Sequence, residues 1–428
     1  MRCCGSSVTV LVMLWGSPPA VCRRPRTAAD ADACGPVCET GSVLRSLPSP
    51  PDRSAFIGDV ARGWLDTTLD GATPPPGLDA LAGTRHLAVV LVDGLGVRNL
   101  AARTGHARHL ARRLADAGPA RLHARFPSTT AASLTSLATG LPPIGHGLVG
   151  YTVWDPDARV VRNELSGWGP GMAPAVWQPH PTVFERAAAA GITAVAIGPR
   201  EYTTSGFTRA TLRGATYVGA DDLGDRFDAL ARVRRDAPRS LVQLYVPELD
   251  RAGHRHGWQG SRWAALLEAL DAETDAARLG SDGAVTVLTG DHGMLDVARE
   301  DHALLAGWSG LDTVLAWAGE PRGVQLVLRE PAAAAETARA LQRRLDETAG
   351  EESFLVTTGD ALVDSGLMGD RSCDDGTARR RLGDVIAIAR DECSALYRGD
   401  GSDDRSRRMI GQHGGLSAWE TELPLLLW

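Results

Sequence analysis

Short, continuous apolar runs alternate along the chain with segments of helical period. His86–Val92, Ile192–Ile197, Leu241–Val246 and Ala284–Thr289 are apolar or nearly so throughout, and so are Val324–Leu328, Ser353–Val356 and Val385–Ala389. Helical patterns fall at about Ile57–Leu69, Val97–Ala117, Thr182–Ala190, Arg262–Leu279 and Ala332–Thr348. A strand that is apolar at every position is buried on both faces. That argues for an α/β protein: a three-layer α/β/α sandwich with a mainly parallel central sheet. Ligands of such sheets bind beyond the C-terminal strand ends.

The segment Phe126–Gly147 is unusual against this background. Pro127-Ser128-Thr129-Thr130 reads as a turn, and a helix from Ala131 is stopped by Gly140 and Pro142. Hydroxyls therefore sit at a helix N-terminus, where free N–H groups and the positive end of the dipole favour an anion. Thr130 is a candidate nucleophile toward a phosphate ester.

Residues 1–54 differ from the rest. Val8–Trp15 is a short apolar run after Arg2, and five of the seven cysteines lie in the first 38 positions. The segment reads as a signal-like or disordered leader, or as a start assigned too far upstream. The expectation is a cytoplasmic protein, exported or membrane-anchored if that run is a true signal. No run reaches the roughly 18 apolar residues needed to span a bilayer. Residues 55–428 read as one domain without internal repeat, with the Gly- and Trp-containing stretch 151–178 a candidate lid.

Composition narrows the chemistry. The net charge of −7 argues against binding nucleic-acid polymers. All 45 cationic Lys/Arg positions are arginine, which excludes a Walker-type phosphate loop and Schiff-base catalysis. No Cys-x-x-Cys spacing supports a structural zinc site.

Three apolar runs deliver metal-compatible side chains at their C-terminal ends. The first is followed by Asp93, the second by Asp250 with His254 four residues on, and the third by Asp291 and His292. His413 stands in Gly-Gln-His-Gly-Gly near the C-terminus. Each of these residues alone has an ordinary reading as a helix cap, a turn or a surface histidine. Together they form four segments of carboxylates and imidazoles beside glycine, a donor set suited to Zn²⁺ and similar ions.

The order Asp93, Thr130, Asp250-x-x-x-His254, Asp291-His292, His413 resembles the alkaline phosphatase superfamily, specifically the type I phosphodiesterase/nucleotide pyrophosphatase family, over about Leu87–Trp428. The resemblance implies a hydrolase with two zinc ions. One would be held by Asp250, His254 and His413, the other by Asp93, Asp291, His292 and the Thr130 oxygen. It implies a phospho-threonine intermediate and a small phosphodiester or nucleotide-like substrate. Thr130 lies nine residues before Thr139-Gly140-Leu141, as the family nucleophile does, with Ser128 or Thr129 as alternatives.

Two positions depart from the nucleotide-cleaving pattern: Ala131 replaces an aromatic that helps clamp a base, and Ser133 replaces an asparagine. Ser133 is a candidate donor to the substrate. Tyr151, Trp154, Asn163 and Trp168 are candidates for compensating stacking and hydrogen bonds, or simply the lid's own core. The sulfatase motif is absent at Thr130. A phosphomonoesterase on the same metal site is an alternative, which Arg125 or Arg200 near the site would favour. A non-catalytic nucleotide-binding module is a distant one, because Asp93-Gly94-Leu95-Gly96 lacks the third glycine of a dinucleotide fingerprint.

Overall fold

The computed structural model describes residues 45–49, 55–280 and 283–428. The reading of residues 1–54 as a leader falls, apart from 45–49, outside the described residues. A six-stranded sheet forms the centre, in the spatial order Leu426–Leu427, Ala284–Gly290, His86–Val92, Ser240–Val246, Thr193–Gly198, Thr216–Gly219. All neighbours are parallel except the C-terminal edge strand Leu426–Leu427.

The middle strand His86–Val92 is buried at all seven positions because both of its faces are covered. Leu87, Val89 and Leu91 pack on one side with Trp64 of helix Asp59–Asp70, with Leu134 and Leu137 of helix Thr130–Thr139, and with Phe184 of helix Val183–Ala189. Ala88, Val90 and Val92 pack on the other with Leu110, with Phe227 of helix Leu223–Asp236 and with Trp263 and Leu267 of helix Ser261–Ala276. Every residue of this strand therefore gains burial, which is why its pattern is continuous rather than alternating.

The expected helix Val97–Ala117 is two helices, Val97–Ala101 and Arg108–Ala117. Thr104-Gly105 interrupts the helical pattern between them. The second helix begins where Asp271 accepts hydrogen bonds from the His109 and Leu110 N–H groups (3.1 and 2.7 Å). That contact satisfies donors which any helix start leaves free.

The late apolar runs do not join the central sheet. Val314–Glu320, Gly323–Leu328, Val385–Ala389 and Phe354–Thr358 form a separate antiparallel sheet covered by helix Ala334–Ala349. Continuous apolarity reports burial and says nothing about the partner's direction. The direction is set by the tight connection, since the two-residue link between Glu320 and Gly323 can only join antiparallel strands.

The candidate lid 151–178 contains the hairpin Thr152–Asp155/Val160–Asn163 and the short helix Pro174–Trp177. Its base is tied down by two buried glutamates. Glu164 accepts from the Val149 and Gly150 N–H groups (2.9 and 3.3 Å), and Glu320 accepts from the Tyr151 N–H (2.9 Å). Among the described residues, no helix is long and apolar enough to cross a membrane.

Candidate active site

The parallel strands His86–Val92 and Ala284–Gly290 end directly at Asp93 and at Asp291-His292. Ser240–Val246 runs into helix Glu248–His256, whose first turn carries Asp250 and whose last carries His254. Because the three strands are adjacent and in register, their C-terminal residues converge. Backbone packing there demands glycine. Gly94 has φ +76° and a Cβ on it would stand 3.1 Å from the Asp250 Cα, while a Cβ on Gly293 would collide with the Trp419 carbonyl oxygen.

Thr130 is the first residue of helix Thr130–Thr139, and no acidic residue lies in its first turn. Its Oγ1 is 3.1 Å from His292 Nε2 and 3.5 Å from Asp93 Oδ1. The Ser128 hydroxyl is instead committed to the Gly415 carbonyl at 2.8 Å. Ser133 lies buried one turn along the helix, its N–H donating to the Thr129 carbonyl.

Two groups of ligand atoms, each mutually within 4.8 Å, form here: Asp93, Asp291 and His292, and Asp250, His292 and His413. His254 Nε2 joins the second from 3.3 Å to Asp250 Oδ1. His292 thus stands within reach of both groups, whereas the family-based partition puts it in one.

The three imidazoles are oriented by their other nitrogens. Nδ1 of His254, His292 and His413 faces the carbonyls of Gly411, Gly293 and Ser128 at 2.7, 3.1 and 3.0 Å. A carbonyl only accepts, so each Nδ1 carries the proton and each Nε2 turns toward the carboxylates. Asp250 Oδ1 and Asp291 Oδ2 are buried with no hydrogen-bond partner among the described residues. Lone pairs therefore face lone pairs at 3.3 Å (His254 to Asp250) and 3.9 Å (His413 to Asp250). Such an arrangement is unfavourable unless a cation lies between the groups, so the donor set fits divalent metal.

The electrostatics agree. Burial pushes Asp250 up to about 6 against the pull of His254. Burial and the charge of Asp93 push Asp291 well above the carboxylate range. Burial disfavours charge on His292, but Asp291 and Asp93 outweigh it and raise the imidazole to about 10. The carboxylates that would attract a divalent ion also attract a proton.

Tyr245, a residue that sequence reasoning missed, donates its hydroxyl to Asp93 Oδ2. Burial and the Asp93 charge raise that phenol well above its usual range, which keeps it a donor. Its signal was a phenol closing the same apolar run that leads to Asp250.

A cavity of about 560 Å³ opens beside Asp93, Thr130 and Asp250, with Leu134, Trp168, Tyr202, Phe207 and Tyr245 among its walls. The stretch 151–178 contributes Leu165, Ser166 and Trp168. Tyr151 and Asn163 stand outside this lining. Tyr151 is 45 % exposed, and Asn163 Oδ1 accepts from the Leu165 and Ser166 N–H groups (2.9 and 2.8 Å), shaping the turn that presents those residues. Arg125 lies over the Phe56 ring, and Arg200 is exposed beside Asp221.

The family profile of type I phosphodiesterase / nucleotide pyrophosphatase matches residues 87–416. No curated protein matches the sequence. Among solved structures, murine ectonucleotide pyrophosphatase / phosphodiesterase 5 is similar, with a TM-score of 0.58 at 17 % identity over 79 % of this chain and 87 % of that one. An inactive form of that murine protein in complex with AMP matches with a TM-score of 0.58 at 16 % identity over 80 % and 87 %. Phosphonoacetate hydrolase from Sinorhizobium meliloti 1021, in complex with phosphonoformate, matches with a TM-score of 0.59 at 19 % identity over 81 % and 90 %. The chain belongs to the type I phosphodiesterase / nucleotide pyrophosphatase family and is a hydrolase of that kind.

Proposed function

We propose that the protein hydrolyses phosphodiester or pyrophosphate bonds in small, nucleotide-like molecules, with Thr130 as the nucleophile and two divalent cations, zinc by the chemistry of the donors. The observation that carries this reading is the position of Thr130 Oγ1 at a helix start, 3.1 Å from His292 Nε2 and beside Asp93. Asp250, His254 and His413 would hold one ion. Asp93, Asp291 and His292 would hold the other, with the Thr130 oxygen as an additional ligand. When bound, the ions would favour the Thr130 alkoxide near neutral pH and stabilise the oxygen of the leaving group.

The rest of the chemistry belongs to the chain. Thr130 Oγ1 attacks phosphorus in line with the leaving oxygen. The new bond forms as the P–O bond to the leaving group breaks, giving a phospho-threonine. The N-terminus of helix Thr130–Thr139 offers N–H groups to a non-bridging oxygen. Water then attacks the same phosphorus, releasing phosphate monoester and restoring the hydroxyl. Tyr245 holds Asp93 in place by its hydrogen bond.

The surroundings support a diester over the phosphomonoesterase alternative. A dianionic monoester calls for a free cation beside the phosphate. Arg251, the arginine of the cavity wall, is already engaged with Glu201 and Tyr202. The turn that the non-catalytic alternative would use is taken up in the carboxylate cluster, its Gly94 N–H donating to Asp291 Oδ1 at 3.1 Å. The test is metal analysis with a hydrolysis assay: purified protein should hold about two zinc ions and release nitrophenolate from bis-p-nitrophenyl phosphate. Full activity after exhaustive chelation would contradict the reading.

A further inference from the structure

Strand Ser240–Val246 reads Ser-Leu-Val-Gln-Leu-Tyr-Val, and a glutamine at the centre of a buried parallel strand is out of pattern. Gln243 is only 5 % exposed, yet it lines the cavity beside Thr130. Its Oε1 is buried with no hydrogen-bond partner among the described residues. Leaving such a group unpaired carries a desolvation cost that a leucine at the same place would not.

Several other polar groups of the cavity wall are engaged within the protein. Thr211 donates to the Phe207 carbonyl (2.9 Å), Thr208 to the Tyr202 carbonyl (2.7 Å) and Tyr217 to the Pro199 carbonyl (3.0 Å). Tyr245 donates to Asp93. Gln243 stands apart from them. It points to the same sheet face as Leu241 and Tyr245, and its neighbours across the sheet are Val89 and the small Ala196. Two residues along that face, about 7 Å by strand geometry, Tyr245 reaches the reaction centre through Asp93. A group esterified to a phosphate at Thr130 can therefore extend over Gln243.

We propose that Gln243 is a specificity-determining residue that reads the ester group in this cavity through an in-plane donor–acceptor pair, as on an amide, lactam or imide edge. This rests on the reading of Thr130 as the nucleophile of a phosphodiesterase. The chemistry follows from the side chain: a carboxamide offers one acceptor and donors in one plane, and its complement is a group that offers the converse at the same spacing. The apolar and aromatic walls hold the body of the group, and a single amide at the floor gives it orientation, the usual division of labour in small-molecule sites.

The test compares wild type with Gln243→Met, which keeps the length and removes the hydrogen bonds, and with Gln243→Leu as a second variant should the first fail to fold. Three substrates are used: thymidine 5′-(p-nitrophenyl phosphate), its N3-methyl derivative, and bis-p-nitrophenyl phosphate. Wild type should favour the thymidine ester over the N3-methyl form by about tenfold or more in kcat/KM. The variant should lose about ten- to a hundredfold on the thymidine ester alone. Its rate on bis-p-nitrophenyl phosphate and its melting temperature should not fall. Equal wild-type rates on the two thymidine esters, no turnover of either, or an equal loss on all three substrates in the variant would overturn the role of Gln243 while leaving Thr130 in place. Failure of wild type on bis-p-nitrophenyl phosphate as well would overturn the Thr130 reading and this proposal with it.

Discussion

His292 and His413 stack with ring centroids 3.6 Å apart and planes 14° apart, each held by a backbone carbonyl at Nδ1. Two imidazoles so close cannot both be positively charged comfortably. Burial, and then the charge of His292, hold His413 well below its usual range. Their Nε2 atoms, turned toward the carboxylates, and the unpaired oxygens of Asp250 and Asp291 suit a shared set of cations better than protons.

Metal should therefore stabilise the fold. Stripping the protein with a chelator is expected to lower its melting temperature, and added zinc to restore it, by about 3 kcal/mol when free zinc reaches a hundred times its Kd. Calorimetry across a zinc titration checks this. An unchanged melting temperature would show that the donor set binds no zinc.

Tyr245→Phe removes the hydroxyl that orients Asp93 and leaves the ring in place. The expected result is a loss of about ten- to a hundredfold in zinc affinity, measured by competition with a chromophoric chelator, with little change in the far-UV circular dichroism spectrum.

The turn carrying His413 depends on a buried ion pair. Arg322 donates to Glu420 through Nε (2.8 Å) and Nη2 (2.9 Å), both side chains fully buried, and Glu420 also accepts from the Gly415 N–H at 2.8 Å. Glu420→Gln removes the bidentate, fully buried carboxylate from the guanidinium and leaves only the more distant Asp391 (3.9 Å) as counter-charge. Denaturant unfolding should show a loss of about 3–5 kcal/mol, whereas an exposed pair such as Arg235–Asp236 should give under about 1 kcal/mol.

Glu164 makes stability depend on pH in the acidic-to-neutral range. Burial raises it from 4.5 to about 7, against the pull of Arg381 and its hydrogen bonds from Trp177, Gly150 and Val149. The folded state thus binds a proton more tightly than the unfolded chain. Its contribution is complete below pH 4.5 and is lost as pH rises through about 7. Glu164→Gln should lose less stability than wild type between pH 6 and pH 9, by an amount on the order of 1 kcal/mol. Unfolding at both pH values measures this, and parallel curves for the two proteins would contradict it.

Much of the frame was legible in the chain because its signals are local. Val92-Asp93 and Gly290-Asp291 are apolar runs that stop at a carboxylate, and the run itself reports burial on both faces. His413 follows no strand of that kind, and only the order of the motif set pointed to it. Pairing direction was not legible: Val324 and Leu326 lie in an antiparallel sheet although their run resembles Val89–Leu91. Nor was the orientation of Tyr245, since whether a phenol meets a carboxylate depends on strand register. Within the stretch 151–178, the hydrophobicity of Trp168 marked it for an interior without specifying which, and it lines the cavity. The main chain of Tyr151 serves instead to fasten the start of that stretch to Glu320.

The most direct measurement is the rate of bis-p-nitrophenyl phosphate hydrolysis by zinc-loaded wild type and Thr130→Ala, with folding verified by melting temperature. With Thr130 Oγ1 as the attacking atom, the folded variant should lose about a thousandfold or more in kcat. Full activity in Thr130→Ala would contradict the account.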